Sequence, residues 1–179
     1  DMVQTEIKWN RNSVAYNAIN IPVVNLFNEY FGGGMAGVVF QTIRESKALA
    51  YSTYAYYGMA YKKNEPNSIS AYVGCQADKM NDAIVSMQEL LDSLPYSEKL
   101  FGITKTSLKN NYATSRILKE QILFTYLDAQ RHGINYDTRQ KTYLMLDKLT
   151  FADLKKFHQV MISKKPYSIN IIGDEKKIK

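Results

Sequence analysis

Apolar and polar positions change their period several times along the chain, and each change marks an element. From Val3 to Trp9 they alternate, with Val3, Thr5, Ile7 and Trp9 on one side and Gln4, Glu6 and Lys8 on the other, the period of a half-buried strand. Asn10 to Asn20 is polar and turn-rich. Pro22 suits the first turn of a helix whose apolar stripe is Val23, Val24, Leu26, Phe27, Tyr30 and Phe31, and Gly32 stops it. A second short helix is expected over Ala36 to Glu45, burying Val39, Phe40 and Ile43.

Tyr51 to Tyr61, rich in tyrosine and small residues and broken at Gly58, reads as a strand. Asn64, Pro66 and Asn67 turn the chain. Ile69, Ala71, Val73 and Cys75 then alternate with Ser70, Tyr72, Gly74 and Gln76, so a third strand pairs with the second as a hairpin. Asp78 is a candidate N-cap for a regular helix with Met80, Ala83, Ile84, Met87, Leu90, Leu91 and Leu94 on one face, ended by Pro95. Ser97 can cap the next helical stretch, which runs to Gly133 with an interruption near Thr114 and Ser115. Tyr136 to Leu149 makes another helix. Thr150 and Asp153 form a capping box, with Leu149 and Leu154 as its hydrophobic staple, for a helix to about Ile162. After Pro166, Tyr167, Ile169 and Ile171 alternate in a last strand ending at Gly173.

Strands separated from a long run of helices, with a direct hairpin, predict an α+β fold: a mainly antiparallel sheet with helices packed on one face. The 179 residues, 45% of them hydrophobic, fit a single domain spanning 1–179. A chain that begins DMVQTEIKW, already in a strand, is expected to be a piece of a longer protein, with any targeting signal upstream of it. The net charge of +6 is spread over scattered lysines and arginines mixed with acids, which describes a solvated surface; no nucleic-acid partner is expected. The basic cluster Lys176, Lys177 and Lys179 reads as a frayed tail. No stretch is long and apolar enough for a membrane span.

Chemistry-bearing residues are sparse. Cys75 is the only cysteine, which excludes an internal disulfide and a Cys-rich metal site, and its apolar register makes it a buried, inert thiol. His132 and His158 are 26 residues apart, and neither H-x-x-E-H nor H-E-x-x-H surrounds them, so no zinc site is expected in this chain. His132 reads as a cation at a helix C-terminus and His158 as an ordinary helix residue. Gly32, Gly33 and Gly34 follow a helix and lack both phosphate-loop spacings; the run reads as a helix stop, a hinge or a contact surface. Arg44 and Tyr51 remain. The helix bearing Arg44 leads through Glu45-Ser-Lys-Ala-Leu-Ala into the strand at Tyr51, so a guanidinium and a phenol can converge at one sheet end and donate to a developing oxyanion. The competing reading is a surface salt bridge to Glu45 and a packed tyrosine. Glu45 and Lys47 read as solvated.

The segment NLFNEYFGGGMAGVVFQTIRESKALAYS resembles the C-terminal half of insulinase/pitrilysin-type zinc peptidases, in which a glycine-rich turn precedes a helix with a Phe-x-x-Ile-Arg core and a Leu-Ala-Tyr entry to a strand. YVGCQADKMNDAIVSMQELLDSLP and LDKLTFADLKKFH resemble that family's next strand and helix and its closing helix start. The resemblance implies the C-terminal domain of a multi-domain zinc metalloendopeptidase. Zinc would be held by an N-terminal zinc-binding domain or subunit, the partner of this one, and this chain alone would be inactive. It further implies that Arg44 and Tyr51, with six residues between them, polarise the scissile carbonyl of a peptide substrate, and that Gly32, Gly33 and Gly34 contact substrate or act as a hinge. A non-catalytic scaffold or assembly subunit derived from the same family is the alternative.

Overall fold

The structure is a computed structural model that describes residues 4–174. Val3 of the first predicted strand and the lysines at 176, 177 and 179 lie outside the described residues. Four strands form one sheet in the order β2-β3-β1-β4, and every pairing is antiparallel. These are β1 (Thr5–Ala15), β2 (Ser52–Gly58), β3 (Pro66–Cys75) and β4 (Ser168–Ile172). Six α-helices accompany them: α1 (Ile21–Gly32), α2 (Met80–Asp92), α3 (Glu98–Thr114), α4 (Lys119–Arg131), α5 (Thr138–Leu146) and α6 (Phe151–Met161). The predicted α+β class, antiparallel sheet and β2–β3 hairpin are all present.

One sheet face carries the core. Ile7 and Trp9 of β1, Ala55 and Tyr57 of β2, and Ile69, Ala71 and Val73 of β3 are buried there, in register with one another. α1 packs on β2, α2 on β3 and β1, and α6, α3 and α5 pack against α1. Aromatic rings bind the layers: Phe157 of α6 meets Tyr57 edge-on at 5.1 Å and Phe27 of α1 at 5.3 Å. The opposite face is polar and aromatic, with Tyr54 stacked on Tyr72 at 5.1 Å and Tyr56 at 6.0 Å from Tyr54.

Several boundaries differ from the sequence pattern. β1 continues past Trp9 to Ala15, because Asn10 and Arg11 to Asn12 are held in the ladder with β3 even though asparagine is a poor strand former. Asp78 does not cap α2. It sits in a 3₁₀ turn, Ala77–Lys79, and the cap position is Lys79 with no side-chain cap bond; the turn occupies the approach that a capping aspartate would need. The stretch from Ser97 to Gly133 breaks into α3 and α4 after Thr114, as the sequence pattern expects, and it is capped at its start by Ser97 Oγ accepting from Leu100 N–H at 3.2 Å. α5 is shorter than Tyr136 to Leu149, since Asp137 Oδ1 accepts from the Arg139 N–H at 2.8 Å and fixes its first turn. The Thr150–Asp153 capping box forms as expected, and its hydrogen bonds hold the Asp153 carboxyl below the usual range.

Candidate functional site

The segment between α1 and β2 is shaped by glycines and by a wide helix. α1 ends at Gly32, whose Cα lies so close to β2 that an added Cβ would fall 1.7 Å from the Ala55 carbonyl oxygen. Only glycine fits there. Gly34 has φ +57° and opens a short 3₁₀ turn, Gly34–Ala36. Helix termination and close backbone approach therefore account for Gly32 and Gly34 as structural glycines.

Where the sequence predicts a short α-helix, the chain forms a π-helix, Phe40–Ser46. Its signature bond runs from the Lys47 N–H to the Thr42 carbonyl at 3.1 Å. The extra residue per turn re-phases the side chains, so Val39 and Ile43 are buried while Phe40 is half-exposed. π-helical turns recur at functional sites because they re-aim side chains that an α-helix would place elsewhere. Arg44 lies in the last turn of this π-helix. Its guanidinium lies 4.9 Å from the Phe40 ring centroid, its side chain is 46% exposed, and it makes a 4.0 Å approach to Glu45 Oε1.

The link from Arg44 to Tyr51 is folded tightly. Leu49 N–H donates to the Ile43 carbonyl at 2.9 Å, and Ala48 adopts φ +49°, a left-handed conformation costly for a residue with a Cβ. Backbone strain of this kind persists only where its surroundings over-determine it, and it clusters at active sites. One such constraint is Lys47, which is not simply solvated: its ammonium donates to Ser86 Oγ at 2.9 Å and pairs with Glu89 at 3.2 Å, tying the link to α2. Tyr51 N–H then donates to the Gly74 carbonyl at 2.8 Å, which fixes Tyr51 beside the end of β3. Tyr51 is 52% exposed, so the packed-tyrosine reading does not hold. Its hydroxyl accepts from Gln76 Nε2 at 2.7 Å and borders a small cavity of about 110 Å³ shared with Leu49 and Lys79. With the hydroxyl oxygen accepting from Gln76, the phenolic O–H is still a donor to spare. Gln76 was not singled out by sequence; the hairpin register, which sets Ser52 opposite Gly74, places it next to Tyr51.

The remaining polar candidates are structural. Burial, with Asp78 adding, pushes the Cys75 thiol up to about 11, which suppresses a thiolate. His132 caps α4, with Nδ1 2.8 Å from the Asp128 carbonyl and Nε2 2.8 Å from the Ala60 carbonyl. His158 is a core residue rather than an ordinary helix position: it is buried against Phe27 and Phe31, with Nε2 3.3 Å from the Leu90 carbonyl. Burial lowers its basicity below the usual histidine range. Both histidines are thus committed to backbone carbonyls. Among the described residues no three His, Cys, Asp or Glu side chains are grouped as metal ligands, so a zinc ion does not fit the donors present. No helix among them is long and apolar enough to cross a membrane.

Sheet and helices together define an α+β domain in which, among the described residues, no metal ligands are grouped. The chain belongs to the Peptidase M16 inactive domain family, whose model matches residues 3–108. It is 34% identical over 86 residues to the uncharacterized zinc protease YmxG of Bacillus subtilis (strain 168), an alignment covering 48% of this chain and 19% of that protein. The match thus spans about a fifth of that relative's length. Its fold matches the crystal structure of a peptidase M16 inactive domain from Pseudomonas fluorescens, with TM-score 0.77 at 15% identity, covering 94% of this chain and 40% of that one. An inactive peptidase domain from Bordetella parapertussis matches with TM-score 0.75 at 11% identity, covering 94% of this chain and 92% of that chain.

Proposed function

We propose that this domain completes the active site of a zinc-dependent endopeptidase, with Arg44 and Tyr51 stabilising the oxyanion that forms on the scissile carbonyl. The observation that supports this reading most is the exposed pair of donors held by one strained link. Arg44 projects from the last turn of a π-helix, Tyr51 stands at the entry to β2, and about half of each is exposed. A guanidinium and a phenol are suited to the role. Each donates a hydrogen bond to negative charge as it develops, and each gains strength as the site closes and water leaves. The zinc, in this reading, belongs to a partner half on the same chain or another subunit. The domain's own contribution is to bind the peptide and position the two donors, with the exposed Gly34 as a further peptide contact.

Arg44→Ala and Tyr51→Phe, introduced into the complete peptidase, are each expected to lower kcat by about 10²–10³ with little change in KM, the cost of losing one oxyanion donor. Turnover within a few-fold of the parent for both variants would remove the assignment and favour a scaffold role for the domain.

A further inference from the structure

α4 stands apart from the rest of the fold. None of its 13 residues is buried, and among the described residues it has no extensive packing against another helix or strand. It is tied to the body at its C-terminal end, where His132 Nε2 sits 2.8 Å from the Ala60 carbonyl and the His132 ring 4.3 Å from that of Tyr16. A helix this short is marginal in water unless one of its faces is packed. Its two sides differ. Ile122, Thr125, Tyr126 and Ala129, spaced i, i+3, i+4 and i+7, wall a cleft of about 810 Å³ between α4 and the body. On the opposite side, about 180° round the helix, lie Glu120, Phe124, Leu127 and Arg131. They follow one another at intervals of 4, 3 and 4 residues, the a and d spacing of a coiled-coil seam. Phe124 is 69% exposed and Leu127 39%, with Leu123 beside them at 60%.

The charges at the two ends of this seam select what covers it. Glu120 in the first turn and Arg131 in the last are both exposed, and among the described residues neither makes an ion pair. The Arg131 guanidinium lies 4.6 Å from the Tyr61 ring centroid, a contact through its flat face that leaves its in-plane N–H groups free to donate. A second copy of the helix laid antiparallel about a two-fold axis sets Phe124 against Leu127 of the copy in both directions, and Glu120 against Arg131 of the copy at both ends. A parallel pair would instead set Glu120 on Glu120 and Arg131 on Arg131. The seam thus complements itself in one orientation only. A single helix pair of this length buries less than the roughly 1,200 Å² of a standard interface, so the association is weak, with Kd on the order of 10–100 μM.

We infer that the outer face of α4 is a self-association surface, on which a second copy of this chain docks as an antiparallel helix pair. Sedimentation equilibrium from about 5 to 500 μM tests it. The chain carries Ile172→Lys in every sample, a charge on the free edge of β4 that keeps strand pairing out of the measurement. A monomer–dimer equilibrium is expected, and Phe124→Asp is expected to leave monomer alone. Glu120→Arg and Arg131→Glu are each expected to weaken the dimer about ten-fold, because each brings like charges together at both ends of the pair. The double reversal restores opposite charges at both ends and is expected to recover the parent dimer, which an unspecific apolar patch would not do. All three positions are exposed, so unaltered melting curves show that the variants are folded. A dimer indifferent to Phe124→Asp, or a double reversal no tighter than the single ones, would overturn the inference. So would a chain that stays monomeric throughout, which would leave the seam to a different protein. None of these results depends on Arg44 or Tyr51.

Discussion

His158 shows how much a single position can hide. On the sequence it is one polar residue in an amphipathic helix; in the fold it fills core volume between Phe27, Phe31 and the end of α2, with its Nε2 at the Leu90 carbonyl. Its folded pKa is depressed below the 6.5 of an unfolded chain, first of all by burial. Above pH 6.5 the imidazole is neutral in both states and its packing stabilises the fold in full. As pH falls below that value the unfolded chain takes up a proton that the folded one refuses, and stability declines until the folded pKa is passed. Urea unfolding from pH 7.5 to 5 is expected to show a decline of up to about 1.4 kcal/mol per pH unit from this residue. His158→Gln, which keeps a donor for Leu90, should flatten that part of the profile; parallel profiles for the two proteins would mean that the histidine is not titrating as a buried group. Cys75 was legible where His158 was not, because a β alternation states which face a residue occupies, whereas the flank of a helix does not.

At the scale of elements, α1 does more than cover the sheet. Asn28 takes the place of a strand neighbour along β2: its Nδ2 donates to the Tyr57 carbonyl at 3.0 Å and its Oδ1 accepts from the Tyr57 N–H at 2.8 Å. Gly32 allows α1 to end in contact with the same strand, so the helix guards the edge of β2 over several residues. Asn28→Ala leaves both Tyr57 backbone groups without partners in a partly buried setting. It is expected to destabilise the protein by about 2–4 kcal/mol in denaturant unfolding; a loss under about 0.5 kcal/mol would show that water replaces the amide fully. Long periodic elements such as α1, α2, β3 and α6 were legible because burial imposes the period directly. The π-helix was not. Its C-terminal end is tied to α2 by the Lys47–Ser86 bond, which joins residues whose proximity only the tertiary fold creates. Arg44 and Tyr51 could be named from the segment around them, but the strain at Ala48 and the Gln76 bond that orient the region could not.

For the whole molecule, burial is uneven. The side of the sheet under α1, α2 and α6 is closed, yet α4 buries none of its own residues and leaves Leu123, Phe124 and Leu127 exposed. β4 is uneven in a similar way. The alternation of Ile169 and Ile171 matches the core face of β1, where they pair with Trp9 and Ile7, but they remain 39% and 43% exposed because the helices stop short of the last strand. With Ile172 at 59% exposure, three of the five β4 residues are isoleucines open to solvent. Pairing to β1 uses one side of the β4 backbone, and among the described residues the other side has no strand beside it. Such a border is adhesive: a row of unspent amides beside branched aliphatic side chains will template another strand, from whatever source. In sedimentation velocity the chain is therefore expected to form species larger than a dimer as concentration rises, and Ile172→Lys, which sets a charge on that border, to remove them. A chain that never exceeds a dimer would mean that the β4 border is already shielded.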